Sequence, residues 1–447
     1  MPLPNADTIA AVATAQGRGG VGVVRISGHD LSSLACGILG RLPKARHATF
    51  TNFLDDKGDT IDQGIALYFA APHSYTGEQV LELQGHGGPA ILNILLQRCI
   101  DLGARLAQPG EFTFRAYSNN KMDLAQAESV ADLIDANSTE AARSALRSLS
   151  GEFSSAIHEM VDTLIQLRML VEALLDFPEE EEVGSQDIGR RDAMLEDIRK
   201  QLQHTLDTAK QGSLLREGAH IVIAGQPNVG KSSLLNKLSG DEVALVSEIP
   251  GTTRDVIRQA IQLQGVPLYI IDTAGLRESE DVVENMGIKR THQTLQLADL
   301  ILLILDASRG ITVQDRLILE SLPADIPRLL VFNKEDLLSA KEVPLSKDPS
   351  IYVSAKTGAG LEELRSMLLK AVGWRSQESG VFMARERHLR ALRAAQSHLS
   401  LAEEVLASPE LFAEELRLAQ RSLSEITGEF TPDDLLGEIF SRFCIGK

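Results

Sequence analysis

Gly225-Gln226-Pro227-Asn228-Val229-Gly230-Lys231-Ser232 stands in the middle of a 447-residue chain and decides how the rest is read. The residues before it, His220-Ile221-Val222-Ile223-Ala224, are mostly apolar and β-branched and predict a buried strand. The residues after it, Ser233-Leu234-Leu235-Asn236-Lys237-Leu238, predict the start of a helix. Strand, glycine-rich turn and helix N-terminus make an anion cradle, because backbone N–H groups of Val229, Gly230 and Ser233 turn toward the ligand and the helix end carries partial positive charge. At this spacing Lys231 reaches the outer phosphates and the Ser232 hydroxyl takes Mg²⁺. The loop predicts a nucleoside triphosphate and leaves its base and its use open.

Composition sets outer bounds. The length suits two to four domains, each with its own core. With 43% hydrophobic and 24% charged residues the chain reads as globular. No apolar run reaches membrane-spanning length and no basic-then-apolar leader opens the chain, so no membrane association is expected. Cys36, Cys99 and Cys444 are too few and too scattered for a disulfide framework or metal cluster, which predicts a reducing cytoplasm. A net charge of −18 argues against holding nucleic acid by the overall field. The charge is uneven: residues 1–120 carry 9 Lys+Arg against 10 Asp+Glu, and residues 121–447 carry 35 against 52.

Outward from the loop, residues 216–375 alternate strand and helix. Strands are expected at Ile221–Ala224, Leu268–Ile271, Leu300–Leu305, Leu329–Phe332 and Ile351–Val353, in a mostly parallel sheet with helices on both faces. Residues 1–118 read as α+β, with strands at Thr8–Ala13, Gly22–Ile26, Gly64–Phe69 and Val80–Leu83 and a helix over Ile91–Ile100. Residues 119–215 are helical, with a break and re-cap at Asn137-Ser138-Thr139-Glu140, helices over Phe153–Leu175 and Ile188–Ala209, and a solvated turn at Glu179–Glu182. Residues 376–447 are helical over Arg385–Leu406, Leu411–Ile426 and Leu435–Phe443. The C-terminal helices alone make a thin core, so an α/β domain inserted into one helical domain is favoured over two helical modules.

Three further motifs follow the loop, each after an expected strand. Asp272-Thr273-Ala274-Gly275 supplies an acidic Mg²⁺ partner and a γ-phosphate-sensing glycine. Asn333-Lys334-Glu335-Asp336 offers a carboxylate that accepts the guanine N1–H and exocyclic amine, which adenine does not present. Ser354-Ala355-Lys356 completes the base pocket through its backbone. Each is weak alone; in this order they predict GTP. Gly251-Thr252-Thr253-Arg254-Asp255 adds Thr253 as the switch residue closing on Mg²⁺. Leu276 occupies the place where many GTPases carry a water-orienting Gln. Glu278, Glu280, Asp281 and Glu284 are the acids nearby, and Arg254 and Arg277 are finger candidates by position alone. Asn228, with carbonyls of residues 247–252, offers ligands for a monovalent cation in place of a finger.

The whole chain resembles the MnmE (TrmE) family of tRNA-modification GTPases. The resemblance rests on Gly17-Arg18-Gly19-Gly20-Val21-Gly22, Leu81-Glu82-Leu83-Gln84-Gly85-His86-Gly87-Gly88, Pro109-Gly110-Glu111-Phe112, Lys121-Met122-Asp123-Leu124-Ala125-Gln126-Ala127-Glu128 and the terminal Phe443-Cys444-Ile445-Gly446-Lys447. It implies a multidomain protein: an α+β N-terminal folate-binding and dimerisation domain (1–118), an all-α helical domain (119–215 and 376–447) and an inserted α/β P-loop GTPase domain (216–375).

The resemblance also implies site residues. Asn228, Ser247, Ile249 and Thr252 would hold K⁺, and Ser232 and Thr253 would hold Mg²⁺. Glu248, Pro250 and Gly251 would line the nucleotide in the same switch, and Glu284 would position the attacking water. Arg25, Glu82, Lys121 and Lys447 would contact 5-formyltetrahydrofolate or methylenetetrahydrofolate, and Cys444 is a candidate catalytic thiol. Arg25 and Lys121 suit carboxylates, and Glu82 suits the pterin amine and ring N–H. His86, between glycines, is expected in a loop shaping that pocket. The implied partners are a second copy of the chain in a homodimer, a flavoprotein, MnmG, in a heterotetramer, and tRNA, with no membrane. The implied outcome is an aminomethyl or carboxymethylaminomethyl group on C5 of a wobble uridine. Competing readings are a ribosome-assembly GTPase, which needs a basic RNA-binding module not evident here, and a folate enzyme with a GTPase regulator.

Overall fold

The computed structural model describes residues 7–176, 185–239, 257–272, 298–338, 348–375, 380–429, 433–441, 443, 444 and 446. Contacts gather the chain into two units: Met1–Ile134 with Ser148–Arg199 and Ala391–Lys447, and Asp135–Arg147 with Lys200–Arg390.

In the first unit a sheet of order β3-β4-β5-β2-β1-β6 is formed by β1 (Ile9–Val12), β2 (Gly19–Gly28), β3 (Thr49–Leu54), β4 (Thr60–Phe69), β5 (Gln79–Gly87) and β6 (Arg105–Leu106). Neighbours are antiparallel except β1 and β6. The strand period of two sorts the side chains. Val24, Ile26, Leu81 and Leu83 pack with Leu34 and Ile38 of α1 (Ser32–Leu39) and Leu92 and Leu95 of α2 (Pro89–Asp101). Arg25 and Glu82, lying between them in sequence, face the other way. On that opposite face Ile9 and Ala11 pack on Phe112 of α3 (Glu111–Ser118). Strands β3 and β6 have no counterpart among the expected strands. β3 is an edge strand with Phe50 73% exposed, and β6 is two exposed residues, so neither carries a buried apolar pattern.

The next helices are α4 (Leu124–Asp135), α5 (Thr139–Leu149), α6 (Glu152–Asp176) and α7 (Ser185–Glu217). A reciprocal box opens α4: Asp123 Oδ1 accepts the Gln126 N–H at 2.9 Å and Gln126 Oε1 accepts the Asp123 N–H at 3.0 Å. The expected re-cap is in place, since Ser138 Oγ accepts the Ala141 N–H at 3.0 Å. The expected turn at Glu179–Glu182 lies outside the described residues.

In the second unit the sheet order is β12-β11-β10-β7-β9-β8, built from β7 (Ala219–Ala224), β8 (Ile257–Leu263), β9 (Val266–Asp272), β10 (Leu300–Asp306), β11 (Arg328–Asn333) and β12 (Ser350–Tyr352). The five expected strands are present and mutually parallel. All seven residues of β10 are buried, as for a strand covered on both faces. Leu234 and Leu238 of α8 (Lys231–Ser239) and Leu361, Leu364 and Leu368 of α10 (Leu361–Ala371) cover one face. Ile318 and Leu319 of α9 (Val313–Ser321) pack on the other. β8 is an unforeseen antiparallel edge strand, joined to β9 through Gln264 (φ 49°) and Gly265 (φ 85°). Two positive φ values in a two-residue loop suit a right-twisted hairpin.

The last helices, α11 (Glu386–Glu404), α12 (Pro409–Thr427) and α13 (Asp433–Ser441), return to the first unit. Arg168 on α6 donates to Gln420 Oε1 on α12 at 2.8 Å, and Arg199 on α7 pairs with Glu403 on α11. Helices from before and after the second sheet therefore pack together. Phe440 on α13 meets Phe114 on α3 edge to face at 5.2 Å. Among the described residues no helix is long and apolar enough to cross a membrane.

Candidate functional site

Strand β7 lies between β9, reached through α8 and β8, and β10, from which the chain continues to the other side. Its C-terminal end is the switch point of the sheet, where crevices form in open α/β folds. The phosphate loop starts there. Gly225 adopts φ 142°, and a Cβ on it would lie 2.3 Å from the Ile304 carbonyl, so the loop rests directly on β10. Asn228 adopts φ 64° and is exposed, and Gly230 adopts φ 92°. Lys231 Nζ donates to the carbonyls of Gly225 and Gln226 at 2.8 and 3.0 Å, which holds the ammonium over the loop. Ser232 and Ser233 are exposed in the first turn of α8. Asp272 ends β9 as the register partner of Ile223, which brings its backbone beside the start of the loop.

The segments expected to recognise the base meet the glycine-rich loop through Asn333. Its Nδ2 donates to the Val229 carbonyl at 2.9 Å and its Oδ1 accepts the Ala355 N–H at 3.0 Å. The Ser354 hydroxyl donates to Asp336 Oδ1 at 2.6 Å, leaving the exposed Asp336 carboxylate a second oxygen for an incoming N–H. Lys334, in left-handed conformation at φ 67°, pairs with Asp306 at 2.7 Å. Burial would raise the Asp306 carboxyl, but hydrogen bonds from Lys334 and Ser308 hold it below its ordinary value. Lys356 is exposed. Sequence alone misses Asp306, since nothing local marks it as the partner of Lys334.

In the first unit Arg25 and Glu82 are cross-strand partners of β2 and β5, and their side chains pair at 2.9 Å. The sequence allows Arg25 a place at a strand end and Glu82 one at a solvated edge. Both instead lie within central strands and are 19% and 16% exposed. Arg25 also sits over the rings of Tyr75 and Phe112, at 5.5 and 5.8 Å, and donates to the Gly446 carbonyl at 3.3 Å. The chain terminus thus reaches the arginine from the far end of the sequence. The Cys444 carbonyl accepts the Gly110 N–H at 3.4 Å, and the cysteine is exposed. Lys121 donates to the Pro72 carbonyl at 3.1 Å and, with Asn120, Asp123, His158 and Glu429, lines a cleft of about 510 Å³.

His86 departs from its expected loop. It belongs to β5, where Asp62 Oδ2 accepts its N–H at 2.8 Å and Asp62 Oδ1 meets Nδ1 at 2.7 Å. Gly85 makes room for that carboxylate, because a Cβ there would lie 2.4 Å from Asp62 Oδ2. Sequence reasoning also misses Arg115, fully buried among Glu78, Glu111 and Asp7.

Ser247, Glu248, Ile249, Pro250, Gly251, Thr252, Thr253, Thr273, Ala274, Gly275, Glu284 and Lys447 lie outside the described residues, as do Leu276 and the acids and arginines near it. Among the described residues no group of His, Cys, Asp and Glu gathers as a metal site.

Comparison with known proteins bears on both units. A model of the GTP-binding protein TrmE N-terminus matches residues 8–121, and a model of the MnmE helical domain matches residues 124–444. The tRNA modification GTPase MnmE of Nitrosospira multiformis is 59% identical, with 100% of each chain covered. That of Nitrosomonas europaea is 59% identical, with 99% of each covered. Among solved structures, the G domain of the T. maritima FeoB iron transporter is 27% identical, covering 34% of this chain and 98% of that one, with a TM-score of 0.26. Two family models that together span nearly the whole sequence, and relatives this similar from end to end, carry the conclusion that the chain belongs to the MnmE (TrmE) family.

Proposed function

We propose that the protein hydrolyses GTP and takes part in modifying the wobble uridine of certain tRNAs. The observation that carries this reading is Asn333, which ties the guanine-type Asn-Lys-x-Asp segment to the phosphate loop at Val229, in a chain whose end-to-end relatives are tRNA modification GTPases. Lys231 binds the outer phosphates, the N–H groups of Val229, Gly230 and Ser233 wrap them, and Asp336 accepts the guanine edge, with Ser354, Ala355 and Lys356 closing the pocket. Ser232 and Thr253 hold Mg²⁺, which neutralises phosphate charge when bound, and Asp272, Thr273, Ala274 and Gly275 line its side of the site. The exposed hydroxyl of Ser232, one residue after Lys231, fits that duty.

Potassium is the proposed substitute for an arginine finger, held by Asn228 with Ser247, Ile249 and Thr252 when two GTPase domains pair. The exposed, left-handed Asn228 fits such a ligand. Glu284 orients the water. The N-terminal part binds a tetrahydrofolate one-carbon donor, either 5-formyltetrahydrofolate or methylenetetrahydrofolate, through Arg25, Glu82, Lys121 and Lys447. The Arg25–Glu82 pair and the tail carbonyl on Arg25 support it, since they place charged hydrogen-bonding groups against two aromatic rings. Cys444 is the proposed thiol of that site. Domains at 1–118, 119–215 with 376–447, and 216–375 are proposed, with a homodimer that joins the flavoprotein MnmG and tRNA in the cytoplasm.

Nucleoside analysis of tRNA from cells lacking the protein tests the reading. Loss of carboxymethylaminomethyl and aminomethyl wobble uridine is expected; unchanged wobble uridines would end it.

A further inference from the structure

Gln226 follows Gly225 in the phosphate loop, and the nucleotide chemistry above does not use its side chain. Its Nε2 donates to Thr312 Oγ1 at 2.7 Å and to Asp315 Oδ1 at 2.8 Å. Both acceptors belong to the capping box of α9. Asp315 Oδ2 accepts the Thr312 N–H at 3.0 Å and the Thr312 hydroxyl at 2.7 Å, and Thr312 Oγ1 accepts the Asp315 N–H at 3.3 Å. The hydroxyl proton and both lone pairs of Thr312 are then in use. Asp315 is only 3% exposed. A carboxylate that far from water needs donors on both oxygens, and Gln226 supplies one to Oδ1.

The main chain of the same residue faces the nucleotide end. The Gln226 carbonyl is one of the two on which Lys231 Nζ rests. The loop is pinned at its start, where Gly225 lies on β10, and near its end, where Asn333 holds Val229. Between those points Pro227 and Asn228 are exposed, and the Gln226 side chain supplies an anchor to α9. We infer that Gln226 is a positioning residue for GTP binding: tethered to Asp315 and Thr312, it fixes the carbonyl that holds Lys231 and so presets the ammonium for the phosphates. It acts through α9 and Lys231 and not by touching the nucleotide.

The inference rests on the reading of Lys231 as a phosphate ligand. Its test is titration of full-length protein with fluorescent GTP, together with turnover at saturating GTP, for the wild type, Gln226→Ala, Asp315→Asn, the double variant, and Arg316→Ala as a control on the outer face of α9. Gln226→Ala is expected to bind GTP about tenfold more weakly, as for loss of a hydrogen bond to a charged group. Its kcat is expected to stay within roughly twofold, because ground-state and transition-state binding lose the same interaction. Asp315→Asn should weaken binding in the same direction, the double variant should be no worse than Gln226→Ala, and Arg316→Ala should match the wild type. Gln226→Glu, of nearly the same shape, sets a second carboxylate against Asp315 and should lose at least as much affinity, which keeps the test open if the alanine variant does not fold. Wild-type affinity in Gln226→Ala and Gln226→Glu overturns the inference, and so does a loss that adds in full to that of Asp315→Asn. A wild type that fails to bind GTP would instead sink the nucleotide reading itself.

Discussion

Asn333 joins three segments with one side chain: its Nδ2 donates to the Val229 carbonyl at 2.9 Å while its Oδ1 accepts the Ala355 N–H at 3.0 Å. It ends β11, is 2% exposed, and sits where a Cβ on Gly230 would come within 2.3 Å of its Nδ2. Asn333 therefore holds the Asn333–Asp336 and Ser354–Lys356 segments and the glycine-rich loop in one geometry, and under the proposed nucleotide reading such bracing lowers the ordering cost of binding.

Asn333→Ala leaves the Val229 carbonyl and the Ala355 N–H without this partner in a buried setting, a loss of about 2–3 kcal/mol. GTP affinity should drop by more than about tenfold, with a lower melting temperature. Gly230→Ala should fail in the same way from the other side, by clash and by its φ of 92°. Calorimetric titration checks both; affinity close to wild type in Asn333→Ala would show that the brace does not couple the two ends.

What was legible in the sequence is what is local in it. A glycine-rich turn after an apolar strand, and Asn333 and Ser354 after later strands, carry their meaning within a few residues. Register does not. Arg25 and Glu82 are 57 positions apart, and only the β2–β5 pairing sets them side by side. Arg115 finds Glu78 and Asp7 across 37 and 108 positions, so helix periodicity does not reveal that this arginine is the buried one. His86 reads as a loop residue because glycines flank it; in a strand those glycines let Asp62 and the Gly19 carbonyl approach.

The Arg115 cluster predicts an acid limb of stability. Burial would raise the Glu111 carboxyl, but hydrogen bonds from Arg105, the Gln108 N–H and Arg115 hold it below the ordinary range, and Asp7 is lowered by the same two arginines against its own burial. A lowered folded value means that the contribution is complete above the unfolded pKa of about 4 and is lost as pH falls through the folded one. Glu111→Gln should cost about 2 kcal/mol at neutral pH, since it takes away the charged acceptor shared by Arg105 and Arg115 while Glu78 and Asp7 remain on Arg115. The penalty should shrink as pH falls from about 4 toward the lowered folded value, where the folded wild type also loses this charge. Hydrogen exchange of the α3 amides, corrected for intrinsic rates, reads both; equal penalties at the two pH values would rule out the ion-pair explanation.

The Arg25–Glu82 pair predicts separable activities. Glu82→Gln and Arg25→Ala should each weaken 5-formyltetrahydrofolate binding by at least about tenfold, the usual scale for a charge-assisted contact. GTP turnover should be unaffected. Arg25→Lys should not restore binding, because Nε serves Glu82 while NH1 serves the Gly446 carbonyl, and a single ammonium does not reproduce that fork. Fluorescence titration with the folate decides; full affinity in Arg25→Ala would move the folate site elsewhere.

Cation dependence tests the nucleotide end. Asn228 is exposed, left-handed at φ 64°, and next to Val229, whose carbonyl is fixed by Asn333. A monovalent cation held there would supply positive charge where charge develops between the β- and γ-phosphates, the place an arginine finger would fill. GTP turnover should be much faster in K⁺ than in Na⁺ at equal ionic strength, and Asn228→Ala should erase the difference while still binding GTP. Glu284→Ala should keep GTP affinity and lose about 10²-fold in turnover, the scale of a positioned proton acceptor. Rates equal in both salts would remove the cation from the mechanism and return the arginines near the switch, Arg254 and Arg277, to contention.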